Sequence, residues 1–370
     1  MASSAAHQTA ADARAGAGAP LPPPPRARVA TLVKLGGALI TDKSQPETLR
    51  ADALRATARQ IATVWRRAKA AADEAAARSS TPAPPPPPLA IVHGAGSFGH
   101  PTARAYGVAL GIAPTSSSDP RLLRNHPRLL EGLCLTRLRV SRLHAHVLEA
   151  LLDEGVPAIG LPPFAAPWGP TDGPGIVRPE HSADACARVA QCLDAGLVPV
   201  LYGDCVLDTA QGCAVLGGDA LMRELARELR PQRAVFLTDV DGVFDRPPDE
   251  PGARLVRMAR LGGGGEEEED EWVLEGDGGG GGSSVRIGGA REGADDISGG
   301  MEAKVAEAAA ISREAGAPVV VARGGTDAAL AALTRGADAF LGDGGQGLRA
   351  TVVTAGGGGR RRAAASDGGV

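Results

Sequence analysis

Aromatic side chains are scarce: the 370-residue chain has five Phe, three Trp and two Tyr. A protein that stacks on nucleic-acid bases needs such rings on a basic face. This chain has neither, since its net charge is −4 with both signs interspersed. Cysteine is sparse too. Cys134, Cys186, Cys192, Cys205 and Cys213 form no C-x-x-C pair, which speaks against zinc or a disulfide framework and for a reducing compartment, the cytoplasm. His144 and His146 are two apart and fall on different helix faces. No apolar run reaches the about 18 residues of a membrane span, and the N-terminus lacks the apolar centre of a secretory signal. Its opening, MASSAAHQTAADAR, is poor in acid and holds Ser and Arg, so an organelle transit segment is the alternative to a plain tail.

Glycine (51) and proline (29) are plentiful but concentrated in stretches that build no core. Residues 1–28 read as a disordered tail and SSTPAPPPPP (79–88) as a polyproline II spacer. Residues 262–294, with the acidic run Glu266–Glu271 and a glycine tract, read as a disordered insertion, and 355–370 as a second tail. Residues 29–354 are then a single domain interrupted at 79–88 and 262–294, with roughly 280 residues left to fold.

Within it, short β-rich runs alternate with helical patterns. Strands are expected at 29–36, 89–94, 156–161, 197–204, 234–240 and 318–323, and helices at 47–78, 129–154, 182–195, 219–230, 301–316 and 326–335. Runs such as AVFLTDV are apolar on both faces, as strands of a covered parallel sheet are. The alternation predicts an α/β fold, and ligands of such sheets sit beyond the carboxyl ends of the strands.

Four loops at such ends carry chemistry. KLGGALITDK (34–43) runs from a strand into Gly36-Gly37, where backbone amides can approach phosphate, bracketed by Lys34 and Lys43. IVHGAGSFGH (91–100) contains G-x-G-x-x-G, but it follows the second strand, and the acid a dinucleotide site needs, Asp119, lies in a loop. What remains is a glycine-rich anion cradle with Ser97 and His100. TDVDGVFDRPP (238–248) ends a buried strand in Asp239 and Asp241, suited to a nucleotide with an acid near magnesium. DISGGMEAK (296–304) opens a helix at Gly299-Gly300, whose amides bind anions within reach of Lys304. Each loop alone also suits an ordinary turn. Together they put three lysines and a histidine at strand and helix ends, which points to phosphoryl transfer. A leucine-rich helix and LPPFAAPW, within 129–168, could line an apolar slot for an acceptor or simply fill the core.

These residues, with VPVLYGD, GGDALMRELA and GADAFLGDGGQGLRATVV, resemble the amino acid kinase superfamily and, within it, the isopentenyl phosphate kinases; GSFGH carries the narrower likeness. The resemblance spans residues 29–354 and implies an open αβα sandwich around a mainly parallel central sheet, as a homodimer. It implies ATP and Mg2+, a small-molecule phosphate as the other substrate, and no nucleic-acid or membrane partner. Lys34, Lys43, His100 and Lys304 would be the catalytic set. Lys34, Gly36, Gly37, Ala38, Gly96, Asp239, Asp241, Gly300 and Lys304 would meet ATP, and Ala95, Gly96, His100 and Gly203 the acceptor phosphate. Asp219 resembles the acid of the family's GD element. Ala38, Ala95 and Phe244 stand where the family often has Ser, Gly and Tyr. The implied alternatives are another phosphate, phosphonate or carboxylate acceptor, or a non-catalytic ATP-binding regulator.

Overall fold

A computed structural model describes residues 29–78, 89–112, 120–165, 168–261, 271–274, 284–285, 299–341 and 347–355. The tail at 1–28, the spacer at 79–88, residues 356–370 and most of 262–294 lie outside them.

In chain order the elements are β1 (Thr31–Leu35), α1 (Gly37–Ile40), α2 (Ala51–Ala77), β2 (Leu89–His93), α3 (Gly96–Tyr106), α4 (Pro127–Asp153) and β3 (Ala158–Gly160). There follow α5 (Pro179–Asp194), β4 (Val198–Tyr202), β5 (Asp204–Asp208), β6 (Gly212–Leu216), α6 (Gly218–Leu229) and β7 (Arg233–Thr238). The chain continues through β8 (Val256–Leu261), β9 (Glu271–Leu274), β10 (Ser284–Val285), α7 (Gly299–Ala315), β11 (Val319–Arg323), α8 (Asp327–Arg335) and β12 (Ala350–Ala355). The main sheet runs β10-β9-β8-β12-β11-β7-β1-β2-β4-β3, and β5 pairs with β6 separately. From β11 through β3 neighbouring strands are parallel, as are β8 and β12; the pairs β11/β12, β8/β9 and β9/β10 are antiparallel.

Alternate residues of the central strands enter two different cores. Leu32, Ala90, Val92, Phe236, Val319 and Val321 pack with residues of α5, α6 and α7. Val33, Leu35, Ile91, Val235, Leu237 and Val320 pack with residues of α2, α4 and α8 on the other face. Each fully buried Leu or Ile contributes about 1.5–3 kcal/mol, so the two covered faces account for the apolar character of these strands. The same alternation puts Lys34 on the α6 side of β1, in register with Phe236 of β7. β1 has β2 on one side and β7 on the other, so the chain changes direction across the sheet there, and a crevice opens beyond the strand ends.

The structure departs from the sequence expectation in several places. β8 and β12, both in the main sheet, fall where no strand was expected. The strand expected at 197–204 stops at Tyr202, and Asp204–Leu216 forms a hairpin. α3 begins within the glycine-rich loop itself, despite Pro101 inside the helix. Proline lacks an N–H and leaves the carbonyl four residues back without its helical donor. Here that carbonyl, of Ser97, accepts from the Glu47 N–H at 3.2 Å. Finally, Glu271–Leu274 and Ser284–Val285, within the stretch expected to lack structure, extend the edge of the sheet.

Candidate active site

Five chain segments meet at the carboxyl ends of β1, β2, β4 and β7. They enclose a cavity of about 250 Å³ lined by Lys34, Gly36, Gly37, Ala38, Lys43, Gly94, Ala95, Gly96, His100, Gly203, Val215, Gly217, Gly218, Asp219, Phe236, Leu237, Thr238 and Asp239. The segments are tied to one another by backbone. Gly36 N–H donates to Leu237 O (2.8 Å), Gly94 N–H to Leu35 O (2.9 Å) and Gly203 N–H to His93 O (2.9 Å). The loops after β1 and β2 touch through their glycines: a Cβ on Gly37 would lie 2.8 Å from both Cα and N of Gly96. Gly96 also has φ +51°, a conformation natural to glycine, and a Cβ there would overlap Thr41 Oγ1. Thr41 staples the pair, its hydroxyl donating to Gly37 O (2.7 Å) and accepting from Ser97 N–H (3.0 Å).

This packing leaves donors over. Among the described residues the N–H groups of Gly37, Ala38, Ala95 and Gly96, all in the cavity wall, have no acceptor. Buried backbone donors are nearly always paired, so a cluster without partners is suited to an anion. The cations stand around it. Lys34 is mostly buried; its ammonium pairs with Asp219 and lies 4.8 Å from the centre of the Phe236 ring. Asp219 sits in the first turn of α6, where the helix dipole favours a negative charge. His100 lies exposed on α3, yet its pKa is below the usual imidazole value, first because the walls desolvate the ring and then because Lys43 and Arg104 repel a proton. At neutral pH the ring is uncharged and keeps one N–H to donate. Asp239 lies at the other end, with Arg50 at 3.9 Å.

The amino acid kinase family pattern matches residues 30–323. The chain belongs to that family. Among its relatives, isopentenyl phosphate kinase of Arabidopsis thaliana is 34% identical over 304 residues, which are 77% of this chain and 84% of the relative. Isopentenyl phosphate kinase of Methanothermobacter thermautotrophicus is 34% identical over 232 residues, 61% of this chain and 73% of the relative. A crystal structure of isopentenyl phosphate kinase superposes with a TM-score of 0.56 at 28% identity, covering 83% of this chain and 96% of that one.

Of the residues the sequence singled out for this kinase site, Lys34, Gly36, Gly37, Ala38, Lys43, Ala95, Gly96, His100, Gly203 and Asp239 line one cavity. Asp241 does not. Its carboxylate meets Arg349 (2.8 Å) and Arg323 (3.7 Å). Gly300 and Lys304 belong to α7, and the Lys304 side chain lies outside the described residues. Glu307, three residues on, has its pKa raised by burial; Arg223 then pulls it down, Asp219 pushes it up and Lys34 pulls it down. The third turn of α7 is thus within electrostatic reach of the Lys34–Asp219 pair.

Among the described residues, none of 129–168 lines the cavity. Leu129, Leu133, Leu143, Val147 and Leu151 are buried in the cores, as is Trp168. Sequence reasoning gave no role to Thr41 or to Gly217 and Gly218. The signal for the two glycines was their position between a strand and the GDAL helix start; a lone Thr five residues after Gly36 gave none.

Proposed function

We propose that this chain transfers the γ-phosphoryl group of ATP to the phosphate of isopentenyl phosphate, giving ADP and isopentenyl diphosphate for isoprenoid biosynthesis. One observation carries the reading: the cavity gathers backbone donors and cations, while both of its carboxylates, Asp219 and Asp239, already face a cation. Such a site has no free base to offer and needs none for this acceptor. A phosphate monoester has a second pKa of about 6 and is mostly dianionic at pH 7. What it requires is help in bringing two anions together. An amino-acid acceptor would carry an ammonium group toward Lys43, His100 and Arg104, which favours a phosphate over glutamate.

In this reading an acceptor oxygen forms a bond to the γ-phosphorus as the bond to the β–γ bridging oxygen breaks, and the charge released resides on ADP. Lys34, oriented by Asp219, and the amides of Gly37 and Ala38 face the group in transit. Neutral His100 donates to the acceptor phosphate beside Ala95, Gly96 and Gly203, with Lys43 supplying charge. Asp239, Gly300 and Lys304 serve the nucleotide, and Asp241 orders its loop through Arg349. Mg2+ suits this site: Asp239, whose pair with Arg50 is long, is the residue that would hold it beside the nucleotide. When bound it neutralises charge on the β- and γ-oxygens.

Mixing the chain with ATP, magnesium and isopentenyl phosphate tests the reading by mass detection of isopentenyl diphosphate. Turnover of glutamate, acetylglutamate or uridine monophosphate instead, or ATP binding with no turnover of any acceptor, overturns it.

A cytoplasmic homodimer completes the proposal. The five cysteines are all free, which suits a reducing compartment, and among the described residues no helix is long and apolar enough to cross a membrane. Leu138 and Leu152 of α4 and Ile159 of the edge strand β3 are exposed, as a self-association face would be. Light scattering on the purified chain gives its mass.

A further inference from the structure

Behind the glycine cradle lie two buried histidines that the reaction does not use directly. His93 ends β2 and His144 lies on α4, and both are buried. His93 Nε2 is 3.0 Å from His144 Nδ1, and His93 Nδ1 is 3.1 Å from the carbonyl oxygen of Gly94. Tyr202 packs against both rings, at 5.4 and 4.5 Å between centres. Gly160 on β3 leaves the space that the far edge of His144 occupies, since a Cβ there would lie 2.5 Å from His144 Nε2.

The network allows one arrangement of protons for a neutral pair. A carbonyl only accepts, so His93 Nδ1 carries the hydrogen. His93 Nε2 is then bare, and His144 Nδ1 must donate to it. His144 Nε2 is left as a bare acceptor, in keeping with its being buried without a partner. Burial holds both rings neutral, lowering His93 to about 3, with His144 as the second cause, and His144 to about 4. The chain of donors therefore runs one way, from His144 through His93 to Gly94 O.

That carbonyl shares a rigid peptide plane with the N–H of Ala95, pointing the opposite way. Ala95 N–H is one of the cavity-wall donors without an acceptor. The peptide groups on either side are anchored, Gly94 N–H on Leu35 O and Ala95 O by the N–H groups of Phe98 and Gly99, and the His93 ring is the side chain that holds the Gly94 carbonyl between them.

We propose that His93, braced by His144, is a positioning residue that locks the Gly94–Ala95 peptide so that the Ala95 N–H meets the acceptor phosphate. The inference rests on the kinase reading above, and its first test is independent of turnover. 15N NMR of the full chain labelled at histidine, at pH 7 and without substrates, must show both rings neutral with the proton on Nδ1. A His93 ring protonated at Nε2 overturns the proposal even if every acceptor assay succeeds, whereas failure to phosphorylate isopentenyl phosphate leaves the NMR result intact and sinks only the substrate assignment.

The second test is kinetic. His93→Leu removes the donor; His93→Asn keeps an N–H at the position of Nδ1. A misplaced contact of this kind costs on the order of 10- to 100-fold. His93→Leu should lower kcat/KM for the acceptor by that factor with KM for ATP unchanged, and His93→Asn should recover most of it. Equal rates in wild type and His93→Leu, or equal losses in both variants at unchanged thermal stability, overturn the proposal. Should His93→Leu fail to fold, His144→Phe removes the brace from the other end and should show the same acceptor-only loss; a loss falling equally on ATP counts against the inference.

Discussion

Replacing Gly96 by alanine separates two costs that a glycine in a tight loop combines. The residue has φ +51°, and an alanine in that region costs about 1–2 kcal/mol. The new Cβ would also overlap Thr41 Oγ1, lie 2.9 Å from Thr41 Cγ2 and 3.1 Å from Gly37 O. Thr41 must then rotate away and give up its bonds to Gly37 O and from Ser97 N–H, each contributing about 1 kcal/mol. The expected loss is about 3–4 kcal/mol. Gly107, which caps α3 at φ +72°, supplies the control, because a Cβ there meets nothing within 4 Å. Gly107→Ala should lose only the conformational part, about 1–2 kcal/mol. Urea unfolding of both variants, followed by circular dichroism, reads the difference. Gly96→Ala should also lose on the order of 100-fold in turnover, since it separates the loops that align the reactants, while Gly107→Ala retains activity. If the two variants unfold at the same urea concentration, steric contact with Thr41 does not explain the glycine and the stapled-loop account fails.

Lys34→Ala should lose on the order of 100-fold in kcat, the scale for one preorganised electrostatic contact; wild-type turnover would remove it from the catalytic set. His100→Gln should retain more activity than His100→Ala, because a neutral donor is what the position requires, and equal activity in wild type and both variants rejects that role. Stability should also fall in acid. The folded-state pKa values of His93 and His144, about 3 and about 4, lie below the free value of about 6.5, so the unfolded chain binds more protons between these limits. The stabilisation is complete above about pH 6.5 and declines as pH falls through that window, by up to about 1.4 kcal/mol per pH unit for each ring. Urea midpoints at pH 7 and pH 5 measure the slope, and His144→Phe should reduce it; an unchanged slope means that ring does not titrate on unfolding.

The central strands were legible because burial on both faces writes itself as continuous apolar runs, and the loops at their ends because several glycine and lysine loops, each compatible with an ordinary turn by itself, recur together at predicted strand and helix ends. The hairpin after β4 was hidden by continuity: LVPVLYGD reads as one strand, and nothing local reveals that Gly203 must turn there to reach His93 O and pass close to Gly218, a Cβ on it lying 3.1 Å from that amide. α3 was not expected as an element, although Pro101 suits a first helical turn; in the fold it lies deeper in the helix, and the donor that makes it tolerable there, Glu47 N–H, comes from a different loop. Asp241 illustrates the same limit in the site. Its partner Arg349 is 108 residues away, and a turn sequence carries no sign of which cation will claim its carboxylate. Side-chain chemistry near a strand end is readable; long-range pairing is not.

The direct contact between Gly37 and Gly96 has a consequence for how such a catalyst can change. With no side chain at the point where the two loops touch, and Thr41 bonding main-chain atoms of both, the spacing of donor and acceptor groups is set by main-chain geometry. Residues around the rest of the acceptor can therefore be exchanged, altering which molecules are admitted, while the distance across which phosphorus travels stays the same.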